Sequence, residues 1–191
     1  MASRSGAGTA RERVLTAALG LFAKHGVNGT SLQMIADEIG VTKAAVYYQF
    51  QSKDEIVQAV ITPYLQRLAL LVETAERKRR RTERAETVLA GIVDLAIENR
   101  SLATSLISDP AMLHVLRDRR DMQDLERRVT VLLTGPDPDT QALVSATMIS
   151  GGVMVTMTDP RVAHLDDETL RHHMLISARR LLRLRVSPTA P

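Results

Sequence analysis

Apolar residues recur along this chain three and four positions apart and almost nowhere at every second position. Val14, Ala18, Leu21 and Phe22 make one such row, and Leu32, Ile35, Ala36 and Ile39 make another. Runs of alternating β-branched and aromatic residues bounded by turns are nearly absent, so the predicted class is all-α. Three segments open with a hydroxyl residue followed three positions later by Glu or Gln: Thr9 with Glu12, Thr30 with Gln33, and Ser52 with Glu55. In each, the hydroxyl caps a helix and the longer side chain reaches back to it, which predicts three helix starts. Gly26 and Gly40 are suited to left-handed caps and predict where the first two helices stop. Only Gly40, Val41 and Thr42 separate the second helix from the next helical segment, the spacing of a helix-turn-helix.

That next segment, VTKAAVYYQFQSK from Val41 to Lys53, predicts a very short third helix. Val46 and Phe50 lie four apart and face a small core, while Lys43 with Tyr47 and Ala44 with Tyr48 form stripes that point elsewhere. The two alanines keep that surface low. Such a profile suits entry into a DNA major groove, where tyrosine hydroxyls and a lysine reach phosphates and Ala44 and Ala45 meet thymine methyl groups. It equally suits a three-helix bundle whose tyrosines are half-buried for packing. The helix alone does not choose.

The wider stretch does. Thr30 to Ile56, TSLQMIADEIGVTKAAVYYQFQSKDEI, resembles the DNA-binding signature of the TetR family of transcriptional regulators. The likeness covers about a third of the chain and includes the Ile35-Ala36 pair, the Gly40-Val41-Thr42 turn, Tyr47, Phe50 and the Ser52-Lys53 start of a fourth helix. It implies that Ser31, Gln33, Lys43, Ala44, Ala45, Tyr47, Tyr48 and Lys53 occupy positions that touch DNA. Thr42 caps the third helix and is placed to meet a phosphate as well. The sequence departs from the family at Ala44, often glycine, and at Gln49, often histidine or tyrosine. Both departures bear on which operator is read.

The expected organisation is a lead over 1–9, a helix-turn-helix domain over 10–56, a larger helical ligand-binding and dimerisation domain over 57–186, and a tail over 187–191. A fourth helix runs from Lys53 into the seventies, bent by Pro63, and joins the two domains. Further helices are expected over 85–99, 102–107 and 111–133, before the loop Gly135-Pro136-Asp137-Pro138. A last pair spans Thr140 to Met157 and the segment from Asp166, whose acidic start and basic end complement its dipole. The TetR resemblance implies that these two pair with their twins in a homodimer, with Gly151, Met174, Ala178 and Leu181 at the interface; their alternative is a place in the chain's own core. Leu89, Ile92, Val93, Leu106, Met112, Leu116, Met122, Met148 and Met154 are the expected lining for an apolar or amphipathic effector, since flexible thioethers adapt to an alkyl body. An acyl-CoA would find its nearest phosphate anchor in the basic run from Arg77 to Arg84, which otherwise reads as a solvated helix end.

Composition narrows the partners further. With 45% hydrophobic and 25% charged residues, no cysteine, and no run near the roughly 18 uninterrupted apolar residues of a membrane span, the expectation is a soluble cytoplasmic protein without disulfides or thiolate metal sites. A formal net charge of +3 is modest, so affinity for nucleic acid must come from local arrangement. His172 and His173 are adjacent and point about 100° apart on a helix, unlike an i,i+4 chelating pair. His114, His164 and Asp109 lack the spacing of a metal or acid–base site. No enzyme activity and no cofactor are expected. The alternatives are a helical small-molecule-binding or interaction protein without DNA function, or a helical enzyme.

Overall fold

The computed structural model describes residues 9–100, 102–104 and 109–184. Leu106, residues 1–8 of the expected lead and the whole expected tail lie outside them. The elements are α1 (Ala10–Gly29), α2 (Leu32–Ile39), α3 (Lys43–Gln49), α4 (Lys53–Glu76), α5 (Arg81–Glu98), α6 (Pro110–Arg117), α7 (Arg120–Thr134), α8 (Thr140–Thr156) and α9 (Asp167–Leu181). Residues 102–104 are also helical, and among the described residues there is no strand. The all-α class holds.

The cap at Thr9 forms as expected, with its hydroxyl accepting from the Glu12 N–H and the Glu12 carboxylate accepting from the Thr9 N–H. Ser52 caps α4, but Glu55 reaches one residue further back, accepting from the Gln51 N–H at 2.8 Å. The pairing of Thr30 with Gln33 is incorrect. Ser31 caps α2, accepting from the Met34 N–H at 3.1 Å. Thr30 is buried, and its hydroxyl donates to the carbonyl of Gly26, which the break in α1 leaves without a helical partner. Gln33 instead bonds along its own helix to Asp37.

The single helix expected over 111–133 is two. On a continuous helix Leu125 would lie about 220° round from Met112. Both are buried, so a break between Arg117 and Arg120 must re-phase the apolar face. Within α6, His114 pairs with Asp118 at 3.2 Å on the surface. α4 passes through Pro63 without interruption. It is long and apolar enough to cross a membrane by length and composition, yet Ile56, Ile61, Leu65, Leu68 and Val72 are buried against other helices.

One connected core runs from Val14 and Phe22 in α1 through α4 to Leu175 and Ala178 in α9. α1 to α3 pack together as a head, and α4 carries it into a body where α4, α5 and α7 lie side by side. α9 runs antiparallel along α5, tied by Arg100 to Asp167 at 2.7 Å, Arg171 to Asp94, and Arg179 to Glu86 at 2.9 Å. At the far end of α4 the Arg128 guanidinium grips Glu76 through two bonds and holds its carboxyl below the usual range. These pairs are only partly buried and fix orientation more than they stabilise.

The hydrophobic core should carry the stability of the head. Phe50 has no exposed surface, so Phe50→Ala should destabilise the protein by about 3–5 kcal/mol, read as a lower denaturant midpoint with α4 and α5 still helical.

Candidate nucleic-acid interface

The reading surface begins with a turn that only a short list of residues can make. Gly40 adopts φ +70°, and the chain closes back with the Val41 N–H on the carbonyl of Ala36 at 2.9 Å and the Gly40 N–H on that of Asp37 at 3.2 Å. Two residues later Thr42 caps α3, its hydroxyl accepting from the Ala45 N–H at 3.2 Å. Val46 and Phe50 then enter the core with no exposed surface. Their burial fixes the rotation of α3 and turns Lys43, Ala44, Ala45, Tyr47 and Tyr48 to solvent. Tyr47 is 52% and Tyr48 87% exposed. Tyr48 so placed contributes little to packing, whereas Tyr47 is half-buried, as a packed bundle would also have it.

Lys43, Ala44, Tyr47 and Tyr48 surround one shallow open depression, together with Gln51 from the bend before α4. No local sequence signal marks Gln51 for this surface. Ser31 and Gln33 are exposed at the start of α2, and Ser31 spends its oxygen on the cap. Lys53 has a structural role as well: its ammonium donates to the carbonyl of Val27 at 2.8 Å, stitching the start of α4 to the end of α1.

Two arginines missed in the sequence hold the motif from behind. Arg13 donates to the carbonyl of Ile39 at 2.8 Å, satisfying the last turn of α2. The Arg11 guanidinium lies 4.2 Å above the Phe50 ring and reaches the carbonyl of Gln49. The only trace in the sequence is a basic pair on the solvent side of the first helix, because the partners lie 26 and 38 residues away.

In the body, Leu89, Val93, Met112 and Leu116 are buried and Ile92, Met122 and Met154 partly so, all within the same core. Tyr64 joins them from α4, where burial pushes its phenol up. Met148 does not: it is 57% exposed on the outer face of α8, four residues on from exposed Val144 and seven before exposed Val155, a spacing that keeps the three on one side. Gly151 sits on that outer side, and among the described residues no neighbouring atom comes within 4 Å of where a Cβ would stand. Of the α9 residues, Leu181 is exposed and Met174 partly so, but Ala178 is buried in the chain's own core, because α9 turns that face onto α5. The basic run divides. Arg81 donates to the carbonyl of Thr134 and Arg84 to that of Lys78, while Arg77, Lys78, Arg79 and Arg80 stand exposed at the turn between α4 and α5. His172 and His173 are exposed, their rings edge to face at 5.3 Å.

The family described as bacterial regulatory proteins, tetR family, matches residues 14–60, the head and the first turns of α4. Over 51 residues the chain is 45% identical to the HTH-type transcriptional regulator SrpR of Pseudomonas putida, covering 27% of this chain and 24% of that protein. It is 39% identical over 59 residues to the HTH-type transcriptional repressor BepR of Brucella suis, covering 31% and 28%. The chain thus matches about a quarter of the length of these relatives. The fold likeness is much longer. A ketosteroid transcriptional regulator of Mycobacterium tuberculosis superposes with a TM-score of 0.72 at 17% identity, over 93% of this chain and 95% of that one. A TetR family regulator, PfmR of Thermus thermophilus, does so at 0.67 and 20% identity over 95% and 100%.

Removing the cap tests how α3 is held. Thr42→Ala should cost about 0.5–2 kcal/mol in denaturant unfolding and speed amide exchange at Ala45, with the body's exchange unchanged.

Proposed function

We propose that this chain, which belongs to the tetR family of bacterial regulatory proteins, is a sequence-specific DNA-binding transcriptional regulator that represses until a small molecule releases it. The single observation that carries this reading is α3, a helix that buries Val46 and Phe50 and leaves a lysine, two alanines and two tyrosines uncovered. In this reading residues 10–56 form the reading head and 57–186 the ligand-binding and dimerisation body. Lys43, Tyr47, Tyr48 and Thr42 take phosphates, and Ala44 and Ala45 meet base edges in the major groove. Ser31 and Gln33 flank the groove from α2. Lys53 keeps two donors beyond the one it gives to Val27 and adds a phosphate contact with them. A protein with this task works in the cytoplasm, beside the chromosome.

The partner in assembly is a second copy. Leu143, Val144, Met148 and Val155 are all more than 40% exposed on α8, and Gly151 and Gly152 lie open between them. With Met174 and Leu181 on α9 they offer an apolar face with a shallow groove, suited to an isologous helix pairing. Two heads then meet half-sites about 34–36 Å apart or a multiple of it on straight B-DNA. The effector is an apolar or amphipathic molecule admitted among Leu89, Ile92, Val93, Met112, Leu116, Met122 and Met154. An acyl-CoA is one such molecule, and the exposed cations from Arg77 to Arg80 suit its phosphates. To release DNA it must favour the dimer whose heads do not fit the operator, since equal affinity shifts nothing.

A gel shift with the DNA upstream of the protein's own gene tests the reading directly: a retarded band resistant to unrelated competitor DNA is expected, and its absence refutes the proposal. Against that fragment, Lys43→Ala with Tyr47→Phe should weaken binding by at least tenfold at unchanged helicity. The salt slope should fall by about one unit for the lost lysine contact. Gly151→Arg places a charge in the apolar seam and should give monomers in sedimentation; an unchanged dimer removes α8 from the interface.

A further inference from the structure

The backbone of Gly26 and Val27 is gripped by three other residues of the chain. Gly26 adopts φ +71° and interrupts α1, which frees the Val27 N–H and the Gly26 carbonyl from helical pairing. The Thr30 hydroxyl takes the Gly26 carbonyl at 2.7 Å, and the Lys53 ammonium takes the Val27 carbonyl at 2.8 Å. The Val27 N–H donates to a carboxylate oxygen of Asp109, which directly precedes α6 in the body. Asp109 is only 5% exposed.

A carboxylate this deep is costly unless donors satisfy it, and an apolar residue would serve simple packing better. What Asp109 supplies is an acceptor that crosses from body to head. Gly26 is matched to it: a Cβ there would stand 3.1 Å from the carboxylate oxygen, and its positive φ is strained for any L side chain. α6 also carries buried Met112 and Leu116, so any shift of those side chains moves the element that Asp109 leads.

We infer that Asp109 is the positioning residue that fixes the reading head on the body, and that the Asp109–Val27 bond passes movement of α6 to α1. The head–body link stands on its own geometry; its consequence for operator binding rests on the function proposed above. α4 sets where the head is tethered, and the Asp109 bond sets how it is turned. Breaking that bond leaves α4 intact and lets the head rock about Ser52 and Lys53.

The chain has no cysteine, so Glu38→Cys in the head and Glu126→Cys in the body, both exposed, take two spin labels cleanly. The labelled protein is diluted with unlabelled chain so that pulsed electron resonance reads distances within one copy. A single narrow distribution is expected with Asp109 present, a broad one with Asp109→Ala, and a narrow one again with Asp109→Asn, whose amide oxygen still accepts. An unchanged distribution in Asp109→Ala overturns the inference. If that variant loses its helical signal, amide exchange at Val27 in the unsubstituted protein decides. Protection comparable to the α1 interior supports the bond, and exchange at the rate of an exposed amide overturns it. Asp109→Ala should also weaken binding to the upstream DNA fragment at least tenfold while sedimenting like the native protein. Should the distances broaden as expected while even the native protein ignores that DNA, the link stands and the regulator reading falls.

Discussion

A helix of seven residues does not persist in water by its own hydrogen bonds, and neither does one of eight; α3 and α2 are of these lengths. They exist because Phe22, Ile35, Ala36, Val46 and Phe50 are sealed together with no exposed surface. The same burial sets the rotation of α3, since Val46 and Phe50 can face inward in one orientation only. Everything on the opposite side, from Lys43 to Tyr48, is displayed as a by-product of that choice. A reading surface built this way needs no residue to be chosen for both packing and recognition. The arginines behind it brace it: Arg13 and Arg11 close the free carbonyls of Ile39 and Gln49, and Arg11 covers the Phe50 ring.

How the head is aimed depends on α4 and on the junction at Val27. With 24 residues α4 spans about 36 Å, fastened near one end by Lys53 on the Val27 carbonyl and at the other by Arg128 on Glu76. α1 also packs along α4 within the same core. Asp109 supplies a second attachment to the same stretch of α1, and two attachments define an orientation where one does not.

The outer surface of α8 differs in kind from the charged faces of α5 and α7. Its exposed Leu143, Val144, Met148 and Val155 leave apolar area in water with two glycines between, while Ser145, Ala146, Ile149 and Val153 face inward. A helix apolar on both sides is one that expects a neighbour on both sides. α9 divides otherwise, turning Leu170, Leu175 and Ala178 onto α5 and showing histidines, Ser177 and Leu181 outward.

The sequence by itself determined what acts over three or four residues. The caps at Thr9, Thr42 and Ser52, the left-handed Gly40, the class and the outward set on α3 are each written in neighbours along the chain. Tertiary structure decided whatever needs a distant partner. Val27 meets Asp109 across 82 residues and Arg13 meets Ile39 across 26, and no local spacing announces either bond. Ala178 and Met148 carry the same apolar signal in the sequence, yet α5 covers one, while among the described residues the other stays more than half exposed. The break between α6 and α7 belongs with these, because it arises when the buried faces of two half-helices must meet a single core. Periodicity records that a residue is apolar on a helix; which neighbour covers it depends on where the other helices lie.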